Sequence, residues 1–375
     1  MILFNNGALY AEVADMPHLR ISFIGLFFSL FIQIQAVSAF EETLRIEQIG
    51  SPLNHPWGMS FMTPTTMLVS ERRGRLYQID VASGERQEIQ NLPDVVHKRQ
   101  GGMLDVHIHD GWVYLCFSSP TADGAATSLM RGRIRQGMLV DKTSLFTSNL
   151  ASQSGVHFGC RILIHEGYLY LSIGDRGERH TAQDPALHTG TVIRLYPDGT
   201  IPEENTDNSE WDTALFTKGH RNPQGMASNP KTGKIWVHEH GPKGGDEINI
   251  LASGANYGWP VVSYGREYYG ARIGKGLKTA PGMTDPIWVW VPSIAPSGMA
   301  FYEGEMFPEL DGDLLVGSLK FRSLYHVRLR DNQPVSETPL LHRKLGRIRD
   351  VAVMADGSIL VLTDEKAGGL YRLFR

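Results

Sequence analysis

The sequence predicts an all-β fold, a six-bladed β-propeller. One plan recurs along the chain: a small or polar turn, an apolar strand, a turn with Gly or Asp, and a second apolar strand. It recurs six times at irregular spacings of about 50 to 70 residues, as expected for propeller blades that carry loop insertions. Strand patterns with turn signals dominate, and no long helical period of 3.6 residues stands out. A β-sandwich also has short strands, but it does not account for six recurrences of one hairpin.

The six units follow one another as a first strand leading to a second. In chain order they are 57–61 to 67–69, 104–108 to 112–115, 161–164 to 168–171, 224–227 to 234–237, 297–301 to 313–316, and 350–353 to 358–361. Residues 369–373 are predicted to be a closing strand that completes a blade with residues near 44–46. No linker separates domains, so residues 40–375 are predicted to form a single domain.

The N-terminal segment has the layout of a secretory signal peptide. A short basic start at 16–20 precedes an apolar run at 21–34, and Val37, Ser38 and Ala39 offer a cleavage site for export. The run is shorter than the roughly 20 residues of a membrane span, although an uncleaved anchor is the alternative. Residues 1–15 carry acids and no base, which favours Met16 as the initiator. We expect residues 1–39 to be removed.

Composition excludes several classes of function. The chain has 36 Lys and Arg against 40 Asp and Glu, so no single-sign field points to nucleic acid as a partner. No CxxC, HExxH or GxxxxGK[ST] motif supports zinc, dithiol or P-loop chemistry. The two cysteines, Cys116 and Cys160, lie in apolar strand-like contexts, where buried free thiols are ordinary. Export permits a disulfide, but we expect these two to be unpaired.

The segment 218–260 concentrates the polar signals. Two charged, glycine-rich loops, GHRNPQG before and EHGP with GGDE after, flank one short apolar strand at 235–237. Glycine and proline at this density fix the directions of backbone amides and carbonyls. Acidic side chains beside exposed carbonyls offer the hard oxygen ligands that calcium prefers. An arginine, two amides, a histidine and two acids therefore converge across one strand.

These motifs carry a family resemblance. GHRNPQG, EHGP, GGDEIN and NYGWP, in this order, resemble the soluble quinoprotein sugar dehydrogenases of the glucose/sorbosone dehydrogenase family, and most of all the bacterial aldose sugar dehydrogenases. The motifs QGGML at 100–104, HFGCR at 157–161, SLK at 318–320 and RIRDV at 347–351 agree. The resemblance covers about residues 45–375 in collinear order.

The resemblance implies pyrroloquinoline quinone (PQQ) as the cofactor. This planar ortho-quinone carries three carboxylates, which call for guanidinium and ammonium partners. The residues that match the family's cofactor motifs are Gln100, Arg221, Asn222, His240, Lys320, Arg347 and Arg349. A propeller would gather them at one end of its central channel, because they precede or follow the first strands of their units.

The resemblance also implies two calcium ions. One would bind the backbone carbonyls of Gly241 and Pro242 and the quinone edge of the cofactor. A second, structural ion would use Glu247 and the backbone of Tyr257. At the quinone edge, calcium would act as a Lewis acid on the carbonyl that receives the hydride.

His157 is the predicted general base, because HFGCR matches the family's His-x-Gly-x-Arg segment. A neutral imidazole near the C1 hydroxyl of the sugar suits this role. His220 and His240 are expected to orient or stack instead. Val156 stands where some glucose-oxidising members have an aspartate, so the orientation of His157 must come from elsewhere. Cys160 stands where glycine is usual.

The predicted function is a periplasmic, PQQ- and calcium-dependent dehydrogenase that oxidises aldoses at C1 to lactones and passes electrons to an external quinone or cytochrome. A calcium-dependent propeller lactonase and a non-catalytic propeller that binds glycans or proteins are the alternatives. Neither needs both the base and the cationic cluster that this chain retains. The sequence leaves open the preferred aldose, the acceptor, and whether the protein is a homodimer.

Overall fold

A computed structural model describes residue 40, residues 42–205 and residues 209–375. The predicted signal peptide therefore lies outside the described residues. Residues 44–375 form one compact unit, to which the following description refers. Within the described part of the chain, no helix is long and apolar enough to cross a membrane.

The unit consists almost entirely of strands. In chain order they are β1 (Arg45–Leu53), β2 (Pro56–Phe61), β3 (Thr66–Glu71), β4 (Arg75–Asp80), β5 (Arg86–Glu88), β6 (Met103–His109), β7 (Trp112–Thr121), β8 (Gly124–Arg135), β9 (Met138–Thr147), β10 (Ile162–His165), β11 (Tyr168–Ile173), β12 (Thr191–Leu195), β13 (Leu215–Lys218), β14 (Pro223–Ser228), β15 (Ile235–Glu239), β16 (Asp246–Ile250), β17 (Ala255–Asn256), β18 (Trp288–Trp290), β19 (Pro296–Phe301), β20 (Leu314–Ser318), β21 (Ser323–Arg330), β22 (Gln333–Leu340), β23 (Ile348–Val353), β24 (Ile359–Thr363) and β25 (Gly368–Phe374). Two short 3-10 helices span Arg179–Gln183 and Pro308–Leu310.

The strands form six sheets, so the predicted six-bladed β-propeller is confirmed. The sheets are β2–β5, β6–β9, β10–β13 with β17, β14–β16 with β18, β19–β22, and β23–β25 with β1. Their innermost strands contact one another in a closed cycle, β2, β6, β10, β14, β19, β23 and back to β2. All six predicted strand pairs correspond to the two innermost strands of a blade.

The second strand of each blade explains why the pattern was visible in the sequence. In blade one, Met67, Leu68 and Val69 of β3 are fully buried, and β11, β15, β20 and β24 are apolar in the same way. A strand packed between two neighbouring blades is buried on both faces, so it forms a continuous apolar run rather than an alternating one.

The ring is closed by strands from the two ends of the chain. β1 pairs antiparallel with β25, and Ile46 lies opposite Leu373. The predicted closing strand near 369–373 and its partner near 44–46 are therefore confirmed. This pairing removes the open edge that β25 would otherwise present.

Five of the six innermost strands have an irregular register near their first residues. The shifts fall between Pro56 and Met59, Met103 and Val106, Pro223 and Gly225, Pro296 and Met299, and Ile348 and Asp350. A bulge bends a strand and redirects its side chains, and bulges concentrate next to functional sites. The same end of the channel carries the candidate site.

Candidate active site

Two adjoining cavities open at the end of the channel where the innermost strands begin. Their volumes are about 520 and about 510 Å³, and both are lined by Gln100, His240 and Ala295. Every predicted catalytic or cofactor-binding residue lines at least one of them: Gln100, His157, Arg221, Asn222, His240, Lys320, Arg347 and Arg349. Apart from Arg349, which is the second residue of β23, these residues precede a first strand or follow a second strand, and the antiparallel pairing brings both ends to the same edge.

The loop that carries His157 has an unusual backbone. His157, Gly159 and Cys160 have φ values of 52°, 64° and 77°, a left-handed conformation that is uncommon for residues other than glycine. The backbone N–H of His157 donates to Gln100 Oε1 at 2.8 Å, and that of Cys160 donates to the Ser172 carbonyl at 2.6 Å. Such conformations persist where surrounding contacts over-determine them, often at functional sites.

Asp175 orients His157. Its Oδ1 lies 2.6 Å from His157 Nδ1, and its Oδ2 accepts the indole N–H of Trp259 at 2.8 Å. Asp175 is buried, whereas His157 is half-buried and lines the cavity. The sequence analysis missed this carboxylate, although GDRG at 174–177 follows β11 directly. The orientation that Val156 cannot provide therefore comes from Asp175.

The charges of this pair suit a general base. Burial lowers the pKa of His157, and the hydrogen bond that His157 donates to Asp175 offsets only part of that effect. Burial raises the pKa of Asp175, but the hydrogen bond from His157, the Gly177 backbone N–H and the charge of Arg221 act against burial, and the net pKa is lowered. Asp175 is thus a carboxylate beside a neutral imidazole. With the proton on Nδ1, Nε2 is the basic nitrogen.

Arg221 and Asn222 are held by the loops around them. Arg221 Nη1 donates to the carbonyls of His240 and Gly241 at 2.9 and 2.8 Å, and its guanidinium lies 5.4 Å from the ring centre of Trp259. Asn222 Oδ1 accepts the backbone N–H of Gly159 at 3.2 Å. The two residues therefore connect the motif GHRNPQG to the loop that carries His157 and to the Gly241 carbonyl, which is a predicted calcium ligand.

Gln224 bridges two predicted cofactor partners. Its Nε2 donates to Asn222 Oδ1 at 3.2 Å, and its Oε1 accepts from Arg349 Nη1 at 3.1 Å. The orientation of the Gln224 side-chain amide is fixed, because the Arg349 guanidinium can only donate and therefore faces the amide oxygen. Gln224 is buried and lines the cavity.

The wall of the cavity of about 520 Å³ is strongly cationic. Arg349 and Arg347 place Nη2 atoms 3.0 and 3.9 Å from the same Asp364 carboxylate, which also receives Arg72 at 3.5 Å. Three arginines thus share one acid and leave an excess of positive charge. Arg349 Nε is buried and has no hydrogen-bond partner among the described residues. A buried donor without a partner is costly.

Lys320 and His240 complete the cofactor set. Exposed Lys320 donates from Nζ to the Ser293 carbonyl at 2.9 Å. His240 Nε2 donates to the Pro296 carbonyl at 2.6 Å, and burial lowers the pKa of His240 to about 3. Its ring therefore stays neutral.

His220 lies outside both cavity linings, bonded to Glu239 at 2.8 Å and stacked on Tyr257 at 4.7 Å.

A buried ion cluster that the sequence analysis did not predict joins three blades of the ring. Arg161 Nη1 lies 3.0 Å from Asp105 and 3.2 Å from Asp350. Gly58 and Gly298 make room, because a Cβ at either position would lie 2.5 Å or less from one of these carboxylates. A broken cluster would leave an uncompensated buried charge.

The oxygens proposed for calcium also lie in this region. Gly241 and Pro242 line the cavity of His157, and Asp246 accepts the Gly241 N–H at 2.9 Å. The described residues contain no group of three or more His, Cys, Asp or Glu side chains that would hold a metal ion. A calcium here would depend on backbone carbonyls, and the use of Gly241 and Pro242 as its ligands stays a prediction.

A second set of oxygens surrounds Glu247. Glu247 and Glu239 are directly opposite each other on β16 and β15, an unfavourable pair without a cation. Asn249 donates to Glu247 Oε1 at 3.0 Å, while its own buried Oδ1 has no partner among the described residues. Tyr257 stacks on His220, which is bonded to Glu239. The Glu247 carboxylate and the unpartnered Asn249 oxygen are hard oxygen ligands of the kind that calcium prefers.

The prediction that the cysteines are unpaired is wrong. Cys116 and Cys160 form a disulfide with Cα atoms 5.6 Å apart, and both residues are fully buried. Cys116 lies in β7, whereas Cys160 lies between His157 and β10, so the bond joins neighbouring blades directly behind the base loop. The 44-residue separation gave no sign of this proximity.

Comparison with known proteins gives consistent results. The glucose/sorbosone dehydrogenase family matches residues 53–372. The aldose sugar dehydrogenase YliI of Escherichia coli is 35% identical over 352 residues, covering 90% of this chain and 95% of that protein. A crystal structure of the soluble aldose sugar dehydrogenase of Escherichia coli, in the apo-form, has 34% identity and a TM-score of 0.85, covering 88% of this chain and 99% of that one. Quinoprotein glucose dehydrogenase B of Acinetobacter calcoaceticus is 24% identical over 455 residues, covering 98% of this chain and 95% of that protein.

Proposed function

The chain belongs to the glucose/sorbosone dehydrogenase family, and from this premise we propose that it is a PQQ- and calcium-dependent dehydrogenase that oxidises aldoses at C1 to lactones. The observation that carries the proposal is the His157–Asp175 pair beside a cavity wall of arginines and a lysine. A base and a polyanion site in adjoining cavities are what this reaction needs from the protein.

The chain's residues fit the cofactor. Arg221, Lys320, Arg347 and Arg349 supply cationic donors for its carboxylates, and Gln100, Asn222 and His240 line the same space. Gly241 and Pro242 would hold calcium at the quinone edge, and Glu247 with Tyr257 would hold a structural ion. When bound, PQQ accepts a hydride and calcium polarises the accepting carbonyl.

His157 has the acid–base role. Its Nε2 accepts the proton of the C1 hydroxyl while C1 loses a hydride, so that the C1–O bond becomes the lactone carbonyl. Asp175 keeps the proton of the ring on Nδ1 and stabilises the imidazolium that forms. The proton then passes to solvent, and the two electrons pass to an external quinone or cytochrome.

We further propose that residues 1–39 form a cleaved signal peptide, with Met16 as the initiator, and that residues 40–375 form the mature periplasmic domain. The basic start, apolar run and small residues before Phe40 support this. The near balance of acids and bases gives no support for a nucleic acid partner.

Reconstitution tests the function. Purified apoprotein is titrated with PQQ in the presence of calcium or of a chelator, and then offered a panel of aldoses with a dye as electron acceptor. The proposal expects saturable cofactor binding that needs calcium, followed by dye reduction and lactone formation with at least one aldose. A lactonase would instead hydrolyse lactones with calcium alone, and a binding module would do neither.

A further inference from the structure

The mouth of the His157 cavity carries an exposed apolar rim. Tyr269, Tyr268 and Val291 are 84%, 72% and 68% exposed, the three most exposed large hydrophobic side chains among the described residues. Tyr268 and Val291 line the cavity, whereas Tyr269 does not. Single exposed hydrophobic residues are ordinary, but a group at the mouth of a ligand cavity indicates recognition.

The two tyrosines stand at the tip of a fixed hairpin. Arg266 and Lys243 exchange backbone hydrogen bonds of 3.1 and 3.0 Å at its base. Across the tip, Glu267 N–H donates to the Ala271 carbonyl and Gly270 N–H donates to the Glu267 carbonyl, both at 2.8 Å. The backbone at Tyr268 is therefore held in place before any ligand arrives, which lowers the entropy cost of binding.

The hairpin is also tied to the catalytic pair. Arg179 binds the Glu267 carboxylate with two nitrogens, at 2.5 and 3.3 Å, and its guanidinium lies 5.6 Å from the ring centre of Trp259. Trp259 in turn donates to Asp175, the partner of His157. The position of the tip relative to the base is thus fixed by one connected set of contacts.

The chemistry of the rim suits a carbohydrate. A sugar ring has apolar C–H faces edged by hydroxyls, and a tyrosine offers a large apolar face with a polar end at a low entropy cost. The His157 side chain is only 16% exposed, so it lies deeper than Tyr268. A sugar unit placed against the base would leave the next unit of an oligosaccharide at the mouth.

We propose that Tyr268 forms a binding subsite for the saccharide unit linked to the one that is oxidised. The subsite makes reducing oligosaccharides better substrates than monosaccharides by lowering KM rather than raising kcat, because the contact is equal in ground and transition states. This inference rests on the proposed function, since the oxidised unit is placed by His157.

Four proteins test the subsite: the wild type, Tyr268→Ala, Tyr268→Phe, and Tyr269→Ala as the matched control on the same hairpin. Steady-state kinetics with glucose and with maltotriose give KM and kcat for each. Calorimetry with methyl α-maltotrioside, which has no free anomeric hydroxyl, measures binding without turnover. Tyr268→Ala should raise KM for maltotriose and weaken glycoside binding about three- to tenfold, the range of one aromatic contact.

The other variants and glucose serve as controls. Tyr268→Phe should restore wild-type constants, Tyr269→Ala should match the wild type, and KM for glucose should stay unchanged throughout. Equal maltotriose KM and glycoside affinity in Tyr268→Ala and the wild type would overturn the subsite. The subsite would also be overturned if both tyrosine variants lost turnover with cytochrome c as the acceptor but kept turnover with the dye. That result would make the rim a docking surface for the acceptor. A wild type that oxidises no aldose refutes the proposed function, and the calorimetry still decides the subsite.

Discussion

Nδ1 of His157 lies 2.6 Å from Oδ1 of Asp175, and this contact sets the tautomer and the orientation of the predicted base. Asp175 has a second fixed donor in the Trp259 indole, so its carboxylate cannot turn away from the imidazole. The pair resembles the base and orienting carboxylate of other acid–base sites, where the carboxylate fixes the tautomer. The base and its orientation therefore come from three separate parts of the chain.

Asp175→Asn should lower the rate of cofactor reduction on the order of 10²- to 10⁴-fold, because an amide cannot accept both donors and favours the wrong tautomer. The pH profile adds a second readout. The lowered pKa of His157 places the acid limb of wild-type kcat below pH 6.5. The Asp175 carboxylate raises that pKa, so its removal should lower the pKa further and shift the limb to still lower pH. A profile unchanged in both rate and limb would exclude Asp175 as the partner of the base.

Alanine at Lys320, Arg347 or Arg349 should weaken PQQ binding by about 2–5 kcal/mol for a desolvated charge pair. The Arg349 substitution should weaken PQQ binding the most, because this side chain is buried. The Lys320 substitution should weaken it the least, because Lys320 is exposed. Fluorescence or absorbance titration of the apoprotein measures each affinity. Arg330→Ala, an exposed arginine at the end of β21, is the control. Wild-type affinity in all three variants would place the cofactor elsewhere.

Denatured protein should contain no free thiol before reduction, because the chain has only Cys116 and Cys160. The Cys116→Ala/Cys160→Ala double variant should lose on the order of 2–4 kcal/mol of unfolding free energy, as expected for a loop of this size. Thiol titration and urea unfolding with and without reductant measure both effects. Two reactive thiols in the unreduced protein would contradict the disulfide.

Protein recovered from the periplasm should begin at Phe40. The prediction follows from the cleavage pattern at Val37, Ser38 and Ala39. N-terminal sequencing of the periplasmic fraction tests it. A chain that starts before Ala36, or one retained in the membrane fraction with its leader intact, would show that the segment is an anchor.

The fold was predictable because its signals are local. Runs such as Met67 to Val69 are apolar by themselves, and the position of Arg221 or Lys320 at a strand end follows from the neighbouring sequence. The gathering of these residues at one end of the channel then follows from propeller topology.

The missed features depend on contacts between distant segments. Asp175 reaches His157 from the loop after β11, Trp259 reaches Asp175 from the segment after β17, and Cys116 meets Cys160 across two neighbouring blades. None of these pairs shares a strand or a turn, so neither periodicity nor spacing can bring them together. They become visible only when the blades are in place.

The most direct measurement is the stopped-flow reduction of reconstituted cofactor by an aldose in the wild type and in His157→Ala, with His109→Ala at the far end of β6 as the control. The account predicts rapid reduction in the wild type and control, and a loss of about 10²- to 10⁴-fold in His157→Ala with cofactor affinity retained. Wild-type reduction rates in His157→Ala would assign the base to another residue. A wild type that binds cofactor and calcium but is reduced by no aldose would contradict the dehydrogenase itself.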